Sequence, residues 1–85
     1  MKRQMKHFNL RKRQFLELIQ KFGELTAREV FILMRFKMGI KNVMVLLKRY
    51  HDFGYLHREK NEMGIFVYSL NLTGAKKLKY LLTHE

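Results

Sequence analysis

Apolar residues in this chain recur at spacings of three and four in four separate blocks, with one strand-like interval before the last block. Phe15, Leu18, Ile19 and Phe22 keep this spacing, so residues 9–22 predict a helix with one face toward a core. Asn9 stands where an N-cap belongs and Gly23 where the helix should end. Met1, Met5 and Phe8 fall on nearly the same angular side, so the alternative is a first helix that begins earlier.

Thr26-Ala27-Arg28-Glu29 has the form of a capping box, with Leu25 and Val30 placed for a hydrophobic staple. The apolar run Val30-Phe31-Ile32-Leu33-Met34 continues this second helix and predicts burial on more than one side. Residues 36–39 read as a turn. A third helix over residues 40–53 separates its faces. Val43, Leu46, Leu47 and Tyr50 share one side, and Lys41, Val45 and Lys48 lie opposite. Asn42 and Arg49 occupy one flank, Met44 and His51 the other. Gly54 stops the helix.

Residues 55–60 and 65–70 then read as two strands joined by the turn residues Asn61-Glu62-Met63-Gly64. Asn71 is placed to cap a last helix with Ala75, Leu78, Leu81 and Leu82 on its apolar side and Lys76, Lys77 and Lys79 on its wet side. The order helix, helix, helix, hairpin, helix is an α+β architecture. Repeats, low-complexity segments and linkers are absent from the sequence, so one domain over residues 1–85 is expected, with residues 1–9 as a basic arm or an extension of the first helix.

Composition narrows the function. Eighteen Lys and Arg against seven acidic residues give a formal charge of +11, while 47% of residues are hydrophobic, too many for a disordered basic tail. A folded body with that field calls for a polyanionic partner, whether nucleic acid, an anionic membrane surface or an acidic protein. The sequence has no cysteine, which removes disulfides and thiolate metal sites. A chain of 85 residues buries only roughly 60–65% of its unfolded surface, so self-association is an expected source of further burial. No apolar run approaches the ~20 residues of a bilayer span, and no secretory signal stands at the N-terminus, so a cytoplasmic, nucleoid-associated protein without a membrane partner is expected.

With these elements in place, three stretches resemble the winged helix-turn-helix family. Phe15-Leu16-Glu17-Leu18-Ile19, followed by Gly23-Glu24-Leu25-Thr26-Ala27-Arg28-Glu29-Val30, is similar to the first helix and helix-two entry of bacterial and archaeal regulators. Residues 42–56, with Leu46-Leu47, Lys48-Arg49 and the Gly54-Tyr55-Leu56 exit, resemble the recognition helix and first wing strand of the MarR- and PadR-like groups. Leu70-Asn71-Leu72-Thr73-Gly74 resembles the family's "Leu-Thr-x-x-Gly" wing exit, with Asn where Thr is usual; both cap helices. The likeness covers residues 10–82 and rests on the order of the motifs. The chain departs from the family between helices two and three. There a short "Leu-Gly-Ile-Ser" turn is replaced by the longer, apolar residues 31–38, so either helix two is extended or the turn is unusual. The family's ligand-sensing extensions are not seen, and no small-molecule ligand is expected.

The resemblance implies a third helix that enters a DNA major groove, and its outward residues suit that task. Lys41 can donate to guanine or phosphate, and Asn42 can pair with adenine through two hydrogen bonds. Met44 and Val45 offer apolar surface to thymine methyls. Lys48 and Arg49 lie further along and suit phosphates. The alternative is a solvated face. Arg58, Lys60 and Asn61 near the hairpin tip are candidates for a minor groove or the backbone, with Glu59 and Glu62 partly cancelling their charge; the alternative is an ordinary exposed hairpin. Lys2, Arg3, Lys6, Arg11, Lys12 and Arg13 form either a phosphate-tracking arm or the solvated start of helix one, and Arg28 and Lys37 are further candidate phosphate contacts. Six to eight neutralised phosphates per protomer would give a log–log salt slope of roughly −5 to −7.

Winged helices of this kind commonly dimerise through their first and last helices. Leu16 and Tyr80 lie off the predicted core stripes, and Met5, Phe8, Leu81 and Leu82 can join them in a homodimer seam; the alternative is that they are simply exposed. His7, His51, His57 and His84 are dispersed without metal-ligand spacing, and no phosphate-cradling glycine loop is present, so neither an enzyme nor a metal or cofactor site is expected. The expected function is a dimeric, double-stranded-DNA-binding transcriptional regulator, a repressor by occlusion. A partition or centromere-coating protein, or a nucleoid protein, is the nearest alternative. A winged-helix protein-interaction module is a further one.

Overall fold

A computed structural model describes the backbone of residues 2–35 and 37–83 and the side chains of residues 11–35 and 37–83. The expectations placed on Met1, Phe36 and His84, and on the side chains of Lys2, Arg3, Met5, Lys6, His7 and Phe8, lie outside the described residues. The order is α1 (Lys2–Phe22), β1 (Glu24–Thr26), α2 (Ala27–Leu33), α3 (Ile40–Asp52), β2 (Leu56–Lys60), β3 (Phe66–Leu70) and α4 (Leu72–Thr83). The three strands form an antiparallel sheet in the order β1-β3-β2. Helix one does begin early, so Asn9 lies inside it and is not its cap.

Strand β1 was not anticipated. Three residues carry no readable period, and Glu24-Leu25-Thr26 is a strand only because it pairs with Ser69, Tyr68 and Val67 of β3. Thr26 then caps α2 as expected. Its hydroxyl accepts the Glu29 amide at 3.2 Å, and the Glu29 carboxylate accepts the Thr26 amide at 2.8 Å. With Leu25 and Val30 both buried, the staple holds too.

The core collects Phe15, Leu16 and Ile19 of α1, Leu25, Val30, Met34, Val43, Leu47 and Tyr50, with Leu56 and Tyr68 of the sheet and Leu78 and Leu81 of α4. Two predicted stripes are therefore rotated. In α1 the inward positions are 12, 15, 16 and 19, roughly 60° around the helix from the expected 15, 18, 19 and 22. The rotation puts Leu16 at 0% exposure, half-buries Leu18 and leaves Phe22 exposed. It accompanies the packing of α1 against both α4 and strand β3. Leu16 thus has internal partners and leaves the dimer seam. In α4 the inward line is Gly74, Leu78 and Leu81, so Leu81 also belongs to the core, while Leu82 is exposed.

Helix α2 is short and is not buried on several sides, since Ile32 and Leu33 are exposed. The departure between helices two and three resolves as an unusual turn rather than an extended helix. Met34 caps α2, and Arg35 follows in the left-handed region at φ 56°. Helix α3 ends as the sequence suggests. Gly54 at φ 87° supplies the left-handed residue after the C-cap, donating to the His51 carbonyl at 2.9 Å, and Tyr55 donates to the Tyr50 carbonyl at 3.0 Å.

Helix α4 docks on this corner. Asn71 accepts the Gly74 amide on Oδ1 at 2.7 Å, capping the helix. Gly74 is buried, and a Cβ there would overlap the Tyr55 carbonyl, so only glycine permits the approach. The corner thereby fixes how the third helix and the wing sit relative to α4.

Candidate nucleic-acid interface

Helix α3 is held by Val43, Leu47 and Tyr50, each at the centre of the core, so its opposite ridge must face outward. Lys41, Val45 and Lys48 occupy that ridge and all are exposed, as are Asn42, Met44 and Arg49 on the flanks. Val45 and Met44 each keep 54% of their surface accessible. Ile40, in the first turn, is also exposed and was overlooked by the sequence reading, since it lies between the inward and outward faces.

The cations of this ridge are not equivalent. Lys48 Nζ lies 3.0 Å from Asp52 Oδ2, and His51 Nδ1 lies 3.4 Å from Asp52 Oδ1. These two hydrogen bonds hold the Asp52 carboxyl below its usual range. Lys48 is therefore drawn toward the C-terminal end of the helix, away from the first turns. Lys41 has no acidic residue one turn ahead of it in sequence to draw it in the same way.

The wing presents Arg58 and Lys60 on one face of the hairpin. The Arg58 guanidinium lies 4.2 Å from the Phe66 ring centroid, and Lys60 Nζ lies 5.3 Å from the same ring. Glu59 points to the other face and pairs with His57 at 2.8 Å, so it does not neutralise the two cations directly. Asn61 builds the turn. Its Oδ1 accepts the Met63 amide at 2.9 Å and the Ile65 amide at 3.1 Å. At the tip Met63 is 82% exposed, a feature the sequence reading used only as a turn residue.

The N-terminal basic cluster divides on folding. Lys12, expected as a phosphate contact, is instead buried at 5% exposure and is not presented to a phosphate. The rotation that buries Leu16 turns Lys12 inward as well, with Nζ 5.6 Å from the Phe53 ring centroid and 5.4 Å from that of Tyr55. Burial pulls its pKa down, and the charge of Lys77 adds to the shift. Arg13 Nε lies 2.9 Å from Glu17 Oε1. Arg11 is half-buried, while Arg28 and Lys37 are exposed.

Of the other candidates for the seam, those with described side chains, Tyr80 and Leu82, are exposed on α4. Among the described residues no group of three or more His, Cys, Asp or Glu side chains could hold a metal ion. No helix among them is long and apolar enough to cross a membrane.

Among solved structures, the chain is similar to the YusO protein from Bacillus subtilis, with a TM-score of 0.75 at 20% identity. It is similar also to a MepR-like protein complexed with pseudoligands, with a TM-score of 0.74 at 15% identity. Each match covers 85% of this chain and 51% of the other, so the chain spans about half the length of these structures. No family model matches, and no curated protein sequence does. The fold is a winged helix-turn-helix, shared with these two structures. Within it, α3 is the helix that follows the turn, and β2–β3 is the wing.

Proposed function

We propose that this chain is a dimeric, double-stranded-DNA-binding domain that regulates transcription by occupying its site, as a repressor. The observation that carries the reading is the outward ridge of α3, where Lys41 and an exposed Val45 stand in a chain of net charge +11. A major groove offers phosphates to the cations of this helix and apolar base edges to Val45 on the ridge and Met44 on its flank. The Arg58–Phe66 stack gives the wing a preorganised cation beside that helix, suited to a backbone or minor-groove contact. The winged helix-turn-helix fold shared with the YusO protein and a MepR-like protein is compatible with this reading.

Dimerisation runs through α1 and α4 in this reading, with Tyr80 and Leu82 as exposed anchors and Met5 and Phe8 on the N-terminal half of α1. A two-fold dimer would set two recognition helices about 34 Å apart, matching a palindromic site.

The test is a triple substitution, Lys41→Glu, Val45→Glu and Lys48→Glu, measured against genomic DNA fragments at physiological salt. Binding is expected to disappear while the circular dichroism melt stays within a few degrees, because all three side chains are exposed. Wild-type affinity in the triple variant would overturn the assignment of α3.

A further inference from the structure

The first turns of α3 carry a chemical bias that bears on which bases the helix reads. Of the exposed side chains over residues 40–45, three are apolar, Ile40, Met44 and Val45, and one is an amide, Asn42. Arginine, the group that reads guanine most often, is absent from this stretch. The next cation along the ridge, Lys48, is held to Asp52 at 3.0 Å, directed away from these turns. Lys41 alone remains there as a donor that suits guanine or a phosphate.

The major-groove edges of the four base pairs carry a single apolar group, the C5-methyl of thymine. Val45 on the outward ridge and Met44 on its flank would find a complementary surface there, and at other base pairs they would desolvate polar edges with no hydrogen bond in return. An amide is the group whose donor and acceptor match adenine N7 and N6 together. All the base-proximal features except Lys41 therefore point to the same pair.

Resting on the DNA-binding reading above, we propose that α3 reads A·T pairs in the major groove, with Val45 and Met44 on thymine methyls and Asn42 on an adjacent adenine. Val45 is the central specificity-determining residue, since it lies on the ridge line between Lys41 and Lys48. Lys41 then meets a phosphate, and the cation pair of the wing adds affinity without choosing the bases.

The experiment selects bound duplexes from a randomised pool with the full chain, then measures affinity for the selected site. In that site each thymine is replaced in turn by deoxyuridine, which lacks only the methyl. Selection is expected to return an A·T-rich half-site, and deoxyuridine at one or two of its positions is expected to weaken binding about fourfold each, the worth of one buried methyl. Val45→Ala is expected to bind more weakly and to lose the deoxyuridine effect at one of those positions. Restoring the methyl through 5-methylcytosine at the same step is expected to recover part of the affinity in wild type and none in Val45→Ala. A G·C-rich selected site, or deoxyuridine substitution without effect at every position, would overturn the proposal while leaving DNA binding intact. Failure of any duplex to be selected would overturn the DNA-binding reading itself, and this inference with it.

Discussion

The Asn71 side-chain amide donates to the Gly54 carbonyl at 2.7 Å, joining the first turn of α4 to the glycine that ends α3, 17 residues earlier. The same side chain caps α4 through Oδ1, and the Asn71 amide donates to the Tyr55 carbonyl at 3.2 Å. One residue thus closes a helix and fixes the corner from which α3 and the wing diverge. Threonine also caps helices, somewhat less well, but has no amide to donate. Asn71→Thr is expected to cost about 1 kcal/mol, chiefly the loss of the Gly54 contact, and Asn71→Ala about 2 kcal/mol. Urea denaturation measures both; equal stability of Asn71→Thr and wild type would show that the tie contributes nothing.

Lys12 offers a test of how far sequence charge translates into DNA contacts. Each phosphate-contacting lysine contributes roughly 0.9 to the magnitude of the log–log salt slope. Lys12→Met is expected to leave that slope unchanged, because its ammonium lies beneath Phe53 and Tyr55, whereas Lys41→Ala is expected to reduce it by about 0.9. Titrating binding against salt for the two variants distinguishes them, and a smaller slope for Lys12→Met would return Lys12 to the interface. The same burial has a pH signature. With its folded pKa below 10.5, Lys12 sheds its proton earlier in the folded state than in the unfolded chain. Its contribution to stability therefore rises as pH climbs through the folded value toward 10.5, and this rise should be missing from Lys12→Met.

Tyr50 carries the opposite dependence. Its hydroxyl is buried with no hydrogen-bond partner among the described residues, while its ring meets Phe15 edge-on at 5.5 Å between centroids. Burial pushes the phenol up to about 12, with Arg49 and Arg11 pulling partly back. Below pH 10 both folded and unfolded chains hold the proton; above it the unfolded chain ionises first, so stability falls between pH 10 and 12. Tyr50→Phe keeps the ring contact and removes the unpaired hydroxyl. It is expected to equal or exceed wild-type stability by up to about 1 kcal/mol at pH 8. At pH 11 the advantage should widen by on the order of 1 kcal/mol. Denaturation at the two pH values checks both; a loss of more than about 1 kcal/mol at pH 8 would mean that the hydroxyl is satisfied after all.

The candidate interface was largely legible because α3 is amphipathic by a wide margin. Once Val43, Leu47 and Tyr50 face inward, Lys41, Val45 and Lys48 have nowhere to go but outward. The hairpin was legible from its β-branched and aromatic run and its turn residues, and the α2 entry from its capping box. The errors cluster where local pattern leaves a choice that packing makes. Leu16, Leu18 and Phe22 are all apolar, and the period alone cannot say which of them is buried. The three residues of β1 are a strand only in the presence of β3.

The chain's own sequence determined the order of the four helices and the hairpin, the caps at Thr26 and Asn71, the stop at Gly54, and the split of α3 into an apolar and an exposed side, because these depend on residues within one or two turns of each other. Tertiary structure decided the rotation of α1 and α4, and with it the burial of Lys12 and Leu16, the exposure of Leu33, and the pairing that creates β1. Those outcomes depend on which surfaces meet across the core, and the faces of two helices are chosen jointly by the elements packed against both.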